Sequence, residues 1–299
     1  MSTLQLVSVI ITTKNRSTLL REALESVFAV EQQGFRLEVI VVDDGSTDDT
    51  PAVLQAYPVK VLHLNGVGMA RARNTGLRAA QGDFVTLLDD DDVWMPNNIK
   101  PQLERFRQHP EYGAVHAQSQ RTEYDGTPFG KPVPAGPLRS GWIFKDLLRY
   151  FPQVGTILTR MEVAREAGEM DPTLTGDTDW DWLLRIAKRH QIGTIEQPVL
   201  LFRQRGNVKA DEVQAWRRFP AMGRIFKHHT RSFNLIERLQ LIPMLWRHRG
   251  AWAYQFLAYA QINYANGERK RAYRSLYYAL RCSPPHTLLN LVRSWPFKK

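Results

Sequence analysis

The 299-residue sequence has a single cysteine, Cys282, and lacks the features of several protein classes. One cysteine excludes a disulfide scaffold and a cysteine-built zinc site, and it fits a reducing compartment. No apolar run approaches the roughly 20 residues that cross a bilayer. The first residues show no basic start before an apolar block, so no secretion signal is expected. With 43% hydrophobic and 23% charged residues, the composition is that of a globular protein. We therefore expect a cytoplasmic protein.

Acidic residues are scarce in the C-terminal part of the chain. Residues 215–299 hold 16 Lys and Arg against 2 Asp and Glu, a net charge of +14, whereas residues 1–214 carry −4. The same stretch contains four of the eight tryptophans and six of the ten tyrosines. This contrast predicts two units, 1–214 and a basic, aromatic-rich helical region 215–299.

Such a region suits an anionic surface. Anionic lipid headgroups explain both the scarcity of acids and the aromatic residues, and would place the protein peripherally on the cytoplasmic face of a membrane. Packing against the rest of the chain and a homo-oligomer contact are the alternatives. Nucleic acid is not an expected partner, because no recognised binding module accompanies the charge.

Alternating strand and helix patterns in the first unit predict a doubly wound α/β domain. The apolar runs are nearly continuous, as in parallel strands that are covered on both faces. They are Leu6–Ile11, Glu38–Val42, Val59–Leu62 and Phe84–Leu88, with helical segments between them at Ser17–Val30, Asp48–Ala56 and Ala70–Ala80. We expect a mostly parallel central sheet with helices on both faces. A loop rich in glycine and proline at 123–141 separates residues 1–122 from residues 142–214.

The C-terminal region is predicted to be all helical. The expected helices are Phe219–Phe233, Leu235–Arg247, Ala251–Tyr264 and Lys270–Arg281, with breaks at Pro243, Gly250 and Gly267.

Two acidic clusters follow predicted strands, Asp43–Asp48 and Asp89–Asp92. Ligands of open α/β sheets bind at these strand ends. Successive carboxylates repel one another unless a cation compensates, and Mg²⁺ or Mn²⁺ with a phosphate-bearing ligand is the natural choice. The alternative is a solvated acidic turn that caps the helix near Pro96. Between the clusters, Asn65–Gly76 opens a helix with glycines and with Arg71 and Arg73, which could face an anionic ligand.

Taken together, these segments resemble the family-2 glycosyltransferases. The resemblance rests on Val7–Ile11, Val41–Asp48, Ala72–Leu77, Gly82–Phe84 and Leu88–Asp92 with Pro96, in order and at the family's spacing. It implies a GT-A fold, a nucleotide-sugar donor, Mn²⁺ or Mg²⁺, and inversion at the anomeric carbon.

The resemblance also implies roles for individual residues. Asp44 would accept a hydrogen bond from the nucleobase, and Asp89 and Asp91 would form the DxD motif, with Asp91 as the direct metal ligand. The donor site would further include Thr12, Asn15, Arg16, Gly68, Arg73, Asn74, Asp90 and Arg205. At Arg205 many members carry a histidine; a guanidinium could hold the diphosphate, or be a surface arginine.

Lys14 stands where the family often has an aromatic residue that stacks on the base. The base therefore stays open: a UDP-sugar is the first expectation, with dTDP- and GDP-sugars as alternatives.

The segment Thr178–Arg185 resembles the acidic helix start that supplies the family's catalytic base. An inverting transfer needs one carboxylate that takes the proton of the acceptor hydroxyl. Asp179 aligns best, with Asp177 and Asp181 as alternatives, and a helix cap is the competing structural role.

The sequence thus predicts a metal-dependent inverting glycosyltransferase. The acceptor would be a glycan or a lipid-linked sugar in the synthesis of cell-surface polysaccharide or glycoconjugate. The alternative is a non-catalytic nucleotide-sugar-binding scaffold with a tail that binds an anionic surface.

Overall fold

The computed structural model describes residues 4–204 and 208–294, and the chain divides into two compact units. The first comprises the chain up to Thr173 together with Thr178–Gln204, and the second comprises Leu174–Asp177 together with the chain from Arg205 onward. A helix that begins at Val208 runs through the predicted boundary between residues 214 and 215. The charge contrast indicated the boundary only coarsely, because this helix begins in a stretch of mixed charge.

Eight strands in the described part of the chain form one mixed sheet in the first unit. They are β1 (Gln5–Thr13), β2 (Phe35–Asp43), β3 (Lys60–His63), β4 (Phe84–Asp89), β5 (Val93–Trp94), β6 (Tyr112–Thr122), β7 (Ile157–Arg160) and β8 (Gln191–Arg203). Their order across the sheet is β3-β2-β1-β4-β7-β6-β8-β5. The first four strands in this order are parallel, as the apolar runs predict. β7 is antiparallel to both of its neighbours, and β6 and β8 pair in parallel.

Short helices connect the strands of the first unit. They are α1 (Ser17–Phe28), α2 (Thr50–Gln55), α3 (Met69–Ala79), α4 (Ile99–Gln108), α5 (Phe144–Leu147), α6 (Met161–Ala167) and α7 (Thr178–Ala187), with a 3₁₀ turn at Val154–Thr156. The apolar stripe of α1, with Leu20, Leu24 and Val27, is buried in one core with β1 and β2. The largely apolar interiors of β1 and β2 fix the sheet, so that the polar residues just beyond their ends lie together at one edge.

The second unit is helical. Its helices are α8 (Val208–Thr230), α9 (Leu235–Ala265), α10 (Arg269–Cys282) and α11 (Pro284–Ser294). Trp216, Phe256, Leu257 and Ala279 form its core. Among the residues that the structure describes, none of the helices has the length and apolar character that a bilayer crossing requires.

The predicted break of α9 at Pro243 and Gly250 is wrong, because the helix passes through both residues. Pro243 is exposed, so water can bind the carbonyl that loses its intrahelical partner. Gly250 faces α11: a Cβ atom there would lie 3.4 Å from the ring of His286, an ordinary contact distance, so the helix continues through Gly250 while it packs against α11. The predicted break at Gly267 is correct, and its φ of 76° ends the helix.

Candidate active site

The carboxyl ends of three parallel strands lie side by side. Thr13 at the end of β1 pairs in register with Asp43 of β2, and Thr12 pairs with Asp89 of β4. The two acidic clusters of the sequence are therefore separated by a single strand. The backbone at the end of β1 turns at Asn15, which has a φ of 54°. This edge of the sheet gathers most of the predicted site residues.

Asp44 organises the loop in front of α3. Its Oδ1 accepts from the backbone N–H of Val67 (2.7 Å), and its Oδ2 accepts from the N–H of Gly68 (2.9 Å). Gly68 has a φ of 91°, which favours glycine, and it precedes the first residue of the helix. Asp44 is buried, so these bonds hold the predicted nucleobase carboxylate in a fixed orientation.

Asn15 links the loop after β1 to the loop after β2. Its Oδ1 accepts from the N–H of Thr47 (2.7 Å), and its own N–H donates to the hydroxyl of Ser46 (2.9 Å). Lys14 beside it is exposed, and its Nζ lies over Gly66, 3.1 Å from where a Cβ atom would be. Lys14, which stands in place of the family's aromatic residue, thus lies against the loop before α3, and Asp44 hydrogen-bonds to the same loop.

The four aspartates after β4 divide into two pairs by burial. The side chains of Asp89 and Asp91 are 29% and 13% exposed, whereas Asp90 and Asp92 are buried. The structure therefore settles which aspartates of the run are accessible, a point that the sequence leaves open. Asp89 and Asp91 are spaced as the predicted DxD motif requires.

The carboxylate of Asp90 is turned inward and does not face the predicted nucleotide-sugar site. It accepts from the hydroxyl of Thr13 (2.8 Å) and pairs with Arg16 (2.8 Å). Burial raises the pKa of Asp90 to about 6, against the opposing effect of Arg16. Asp90 thus ties the end of β1 to the acidic run. Thr13 has no role in the sequence prediction, although it directly follows Thr12.

Asp92 lies deeper still. Its Oδ1 accepts from the backbone N–H of Arg203 in β8 (3.0 Å), and burial raises its pKa well above the usual range. Arg203 also pairs with Glu22 of α1. Sequence reasoning missed Arg203, because nothing in the local pattern of β8 indicates that it meets the acidic run.

Arg16 bridges the buried and the accessible members of the run. One guanidinium nitrogen, NH1, lies 2.8 Å from Asp90 Oδ1 and 3.0 Å from Asp91 Oδ2. Burial by itself would lower the pKa of Arg16, but the negative charges of Asp90 and Asp91 have the larger combined effect and raise this pKa. The predicted metal ligand Asp91 is therefore paired with a permanent cation.

Arg73 of α3 joins two parts of the predicted site. Its side chain is buried, with NH2 2.5 Å from Asp89 Oδ1 and NH1 3.3 Å from Asp179 Oδ2. Burial by itself would lower the pKa of Arg73, but the negative charges of Asp89 and Asp179 have the larger combined effect and raise this pKa. One guanidinium thus links Asp89 of the acidic run to Asp179 in the first turn of α7.

The three candidate bases have different surroundings. Asp181 accepts from Arg185 Nε (3.1 Å), one helical turn further along α7. Asp177, in the second unit, is held by Arg218 through Nε and NH2, both at 2.8 Å. Asp179 lies at the start of α7, 14% exposed, and its Oδ1 accepts from the N–H of Trp180 (3.0 Å). Of the three, Asp179 is the one that shares a partner with the acidic run.

Asn74 plays a structural part instead of the predicted donor contact. Its amide nitrogen donates to the carbonyl of Met170 (2.9 Å), and its Oδ1 accepts from the N–H of the same residue (2.9 Å). The side chain is buried and ties α3 to the segment that leads towards α7. Arg205 lies outside the described residues.

The residues fit a divalent cation that is shared with a ligand. Carboxylate oxygens are the ligands that Mg²⁺ and Mn²⁺ prefer, and Asp89 and Asp91 are the accessible ones. Across residues 4–204 and 208–294, no three His, Cys, Asp or Glu side chains are grouped to hold a metal ion. These described residues therefore offer no complete cage by themselves, and a bound diphosphate would have to supply further oxygens.

Residues 8–166, more than half of the chain, match the model of the family described as Glycosyl transferase family 2. The chain therefore belongs to this family, and the predicted assignment to the glycosyltransferases is confirmed.

Two relatives illustrate how the similarity is distributed. A protein of Rickettsia bellii named "Uncharacterized glycosyltransferase" is 27% identical over 206 residues, which are 67% of this chain and 29% of the relative. Succinoglycan biosynthesis protein ExoO of Rhizobium meliloti is 37% identical over 103 residues, 33% of this chain and 29% of that protein. The chain thus spans less than a third of the length of these relatives.

Solved structures show the same fold over nearly the whole chain. S. aureus TarS 1–349 in complex with UDP-GlcNAc has a TM-score of 0.58 at 16% identity, covering 92% of this chain and 91% of that one. The mannosyltransferase PcManGT from Pyrobaculum calidifontis in complex with GDP-Man and Mn²⁺ has a TM-score of 0.61 at 21% identity, covering 99% and 83%. The predicted GT-A fold with a C-terminal helical region is confirmed.

Proposed function

We propose that the protein is a metal-dependent inverting glycosyltransferase that uses a nucleoside-diphosphate sugar. The observation that carries the proposal is the buried Arg73, which holds the outward-facing DxD carboxylate Asp89 and the carboxylate of Asp179 on one guanidinium. The proposed donor site and the proposed proton acceptor would thereby be held at a fixed distance from each other. A scaffold that only binds a nucleotide sugar has no need of the second carboxylate.

The donor would bind at the ends of β1 and β2. The solved structures with UDP-GlcNAc and GDP-Man support a nucleotide-sugar donor. Asp44 and the loop that it holds would contact the nucleobase, with Thr12, Asn15 and Gly68 around it. The ammonium group of Lys14, beside the loop before α3, favours a base with carbonyl oxygens that accept hydrogen bonds. We therefore propose a UDP-sugar first and a dTDP- or GDP-sugar next.

Asp91 and Asp89 would hold Mn²⁺ or Mg²⁺ together with the diphosphate oxygens of the donor. When bound, the cation would neutralise the negative charge that develops on the departing nucleoside diphosphate. Arg16 and Arg73, both charged and both adjacent to these aspartates, would supply further positive charge at the same place.

Asp179 would act as the general base. The acceptor hydroxyl would lose its proton to this carboxylate while its oxygen attacks the anomeric carbon from the face opposite the diphosphate. The new glycosidic bond forms as the bond to the diphosphate oxygen breaks, which inverts the configuration. Arg73 holds the carboxylate in place, and the position of Asp179 at the start of α7 directs it away from the sheet core.

The acceptor would be a glycan or a lipid-linked sugar in the assembly of cell-surface polysaccharide or glycoconjugate. The similarity to a succinoglycan biosynthesis protein supports this class.

Donor hydrolysis tests the proposed function most directly. Purified protein is incubated with UDP-, dTDP- and GDP-sugars, with and without Mn²⁺, and release of the nucleoside diphosphate is measured. We expect slow metal-dependent release from one nucleotide class and its loss in Asp91→Ala, which changes an accessible side chain and should leave the fold intact. A thermal-shift series on the same ligands reports binding separately, since a ligand stabilises by mass action. Binding without any release would support the scaffold alternative.

A further inference from the structure

The second unit presents an apolar stripe along the first half of α9. Leu235, Leu239, Ile242 and Trp246 recur at intervals of four, three and four residues, within about 60° of the circumference of the helix. Each is more than half exposed, from 52% for Ile242 to 73% for Leu235. The stripe is about 17 Å long at the rise of an α-helix. We call it the α9 stripe.

Most of the α9 stripe faces away from its own unit; at its C-terminal end Trp246 contacts His286 of α11, with the ring centroids 4.5 Å apart, and still leaves 60% of its surface exposed. Leu241, on the opposite side of the same turns, is the buried residue of this half of α9. The helix is also well anchored at its start, since Asn234 and Glu237 form a reciprocal capping box. The exposed apolar residues thus belong to an ordered helix, and contiguous apolar surface of this kind marks an interaction site.

Positive charge borders the stripe on both sides. The helical spacing places Arg238 on one flank and Arg247 on the other, and Arg231 and Arg249 lie just beyond the two ends of the stripe. All four are exposed. The single acidic residue between positions 231 and 249, Glu237, is engaged in the capping box. An apolar strip with a basic rim is the pattern of a helix that lies in the plane of a membrane interface.

We propose that the α9 stripe docks the protein on an anionic lipid bilayer, with α9 parallel to the surface. Leu235, Leu239, Ile242 and Trp246 enter the boundary between headgroups and acyl chains. Arg231, Arg238 and Arg247 pair with lipid phosphates, each strengthening attachment about fivefold. Trp246 is suited to this depth, because its ring is apolar and its N–H can bind at the headgroups.

A second copy of the chain is a poorer occupant. A symmetric dimer through this stripe would bring the arginine rim of one copy against that of the other. Residues 215–294 offer only Glu237 and Glu268 to neutralise it, and Glu268 is paired with Lys209 and Arg271. A bilayer that contains acidic lipids supplies the missing negative charge.

Vesicle co-sedimentation without any sugar nucleotide tests this inference independently of the proposed activity. Full-length protein is mixed with phosphatidylcholine vesicles, or with vesicles that also contain phosphatidylglycerol, at about 20 mM and about 500 mM NaCl. We expect binding to the anionic vesicles at low salt and much weaker binding to the neutral ones.

Two kinds of variant separate the stripe from its rim. Trp246→Ser and Ile242→Glu should each weaken binding by about tenfold, with the loss persisting at high salt. The double variant Arg238→Gln/Arg247→Gln should lose about 25-fold at low salt, and the difference should shrink at high salt. Trp142→Ser, which removes a tryptophan that is 65% exposed in the first unit, is the matched control and should bind like the wild type. Circular dichroism melts verify that each variant is folded.

The inference is overturned by any of three results. Wild-type protein could show no preference for anionic vesicles at low salt. The stripe variants could bind as well as Trp142→Ser does. Light scattering could reveal a dimer that Ile242→Glu dissociates while vesicles bind nothing, which would assign the stripe to a second copy of the chain.

Discussion

The candidate active site in the first unit and the α9 stripe in the second use arginine in opposite ways. In the first unit, Arg16 and Arg73 are each held between two carboxylates, and Arg73 is fully buried. In the second unit, Arg231, Arg238 and Arg247 are exposed beside an apolar stripe. A buried arginine between two acids is costly to desolvate and keeps a single geometry, which suits the positioning of reacting groups. Exposed arginines with no carboxylate partner among their hydrogen bonds, such as Arg238, which donates to the carbonyls of Phe233 and Arg231, keep a net positive charge at the surface, and this suits attraction to an anionic partner.

The same contrast explains why the carboxylates of the first unit matter individually. Asp89, Asp91 and Asp179 each have a defined cation partner, so removing one changes a specific interaction. In the second unit, Glu212 is the comparable buried acid, and its partners belong to helix packing rather than to a ligand site. Substitutions in the two units should therefore affect different properties.

The largest effect is expected for Asp179→Asn. The amide keeps the size of the side chain but cannot take the proton of an acceptor, so transfer should fall by about 10²–10⁴-fold. Donor affinity should change little, because the acidic run after β4 remains. Product formation in steady state and donor binding by calorimetry measure the two separately. Asp181→Asn, which loosens the pair with Arg185, is the control. A greater loss in that control would move the base to Asp181.

Glu212→Ala should destabilise the second unit and leave donor binding by the first unit unchanged. Glu212 is buried and accepts from Asn263 (2.6 Å), Ser275 (2.5 Å) and two nitrogens of Arg271 (3.0 and 2.6 Å), thereby joining α8, α9 and α10. Its loss leaves buried donors without a partner, which costs about 2–4 kcal/mol after allowance for the partial exposure of Arg271.

Urea unfolding followed by circular dichroism measures this change in stability, and donor binding by calorimetry should be unchanged in conditions where the variant is folded. Glu268→Gln removes a more exposed partner of Arg271 and should cost no more than about 1 kcal/mol. Equal costs in the two variants would contradict the role of Glu212 as the buried junction of the three helices.

His116 is a source of pH dependence in the first unit. It is fully buried in β6, and burial lowers its pKa to about 4. At His116 the unfolded chain therefore binds more protons between about pH 6.5 and pH 4, so the contribution of this residue to stability falls as the pH is lowered through this window, whereas Asp90, with its raised pKa, contributes in the opposite direction. The loss should reach at most about 3 kcal/mol. His116→Phe should flatten the pH dependence of the urea midpoint between these values. An unchanged slope would assign the acid sensitivity to other groups.

Much of the first unit could be predicted, because its signals are local. Apolar runs such as Val39–Val42 have to be strands buried on both faces, and the acidic residues that follow them then meet at one edge. The partners within that edge could not be predicted. Asn74 bonds to Met170 and Asp92 meets Arg203, and both contacts join segments about a hundred residues apart. Nothing local distinguishes a buried aspartate from an accessible one in a run of four.

The second unit was predicted less well for a different reason. Its helical content follows from the spacing of apolar residues, but Pro243 and Gly250 indicated breaks that α9 does not have. Tertiary packing overrides the local helix propensity here, because α11 packs against Gly250. Pro243 is tolerated in the helix because it is exposed to solvent. The residues of the α9 stripe all lie within the expected helix Leu235–Arg247, but the spacing of apolar residues does not tell whether the face that they form is buried or exposed.

The smallest predicted effect concerns Arg16, and it tests whether the paired arginines of the first unit also regulate access to the acidic run. Arg16 lies 3.0 Å from Asp91, so a divalent cation and the guanidinium compete for that carboxylate. In the absence of donor, Arg16→Gln should therefore bind Mn²⁺ about two- to fivefold more tightly than the wild type, the range expected for a partly exposed pair. Electron paramagnetic resonance of free Mn²⁺ measures this directly. Lys14→Gln makes the same change in charge two residues away and controls for the general electrostatic effect. Equal Mn²⁺ affinities in the two variants would mean that Arg16 does not compete for Asp91 and serves only to hold Asp90 at the end of β1.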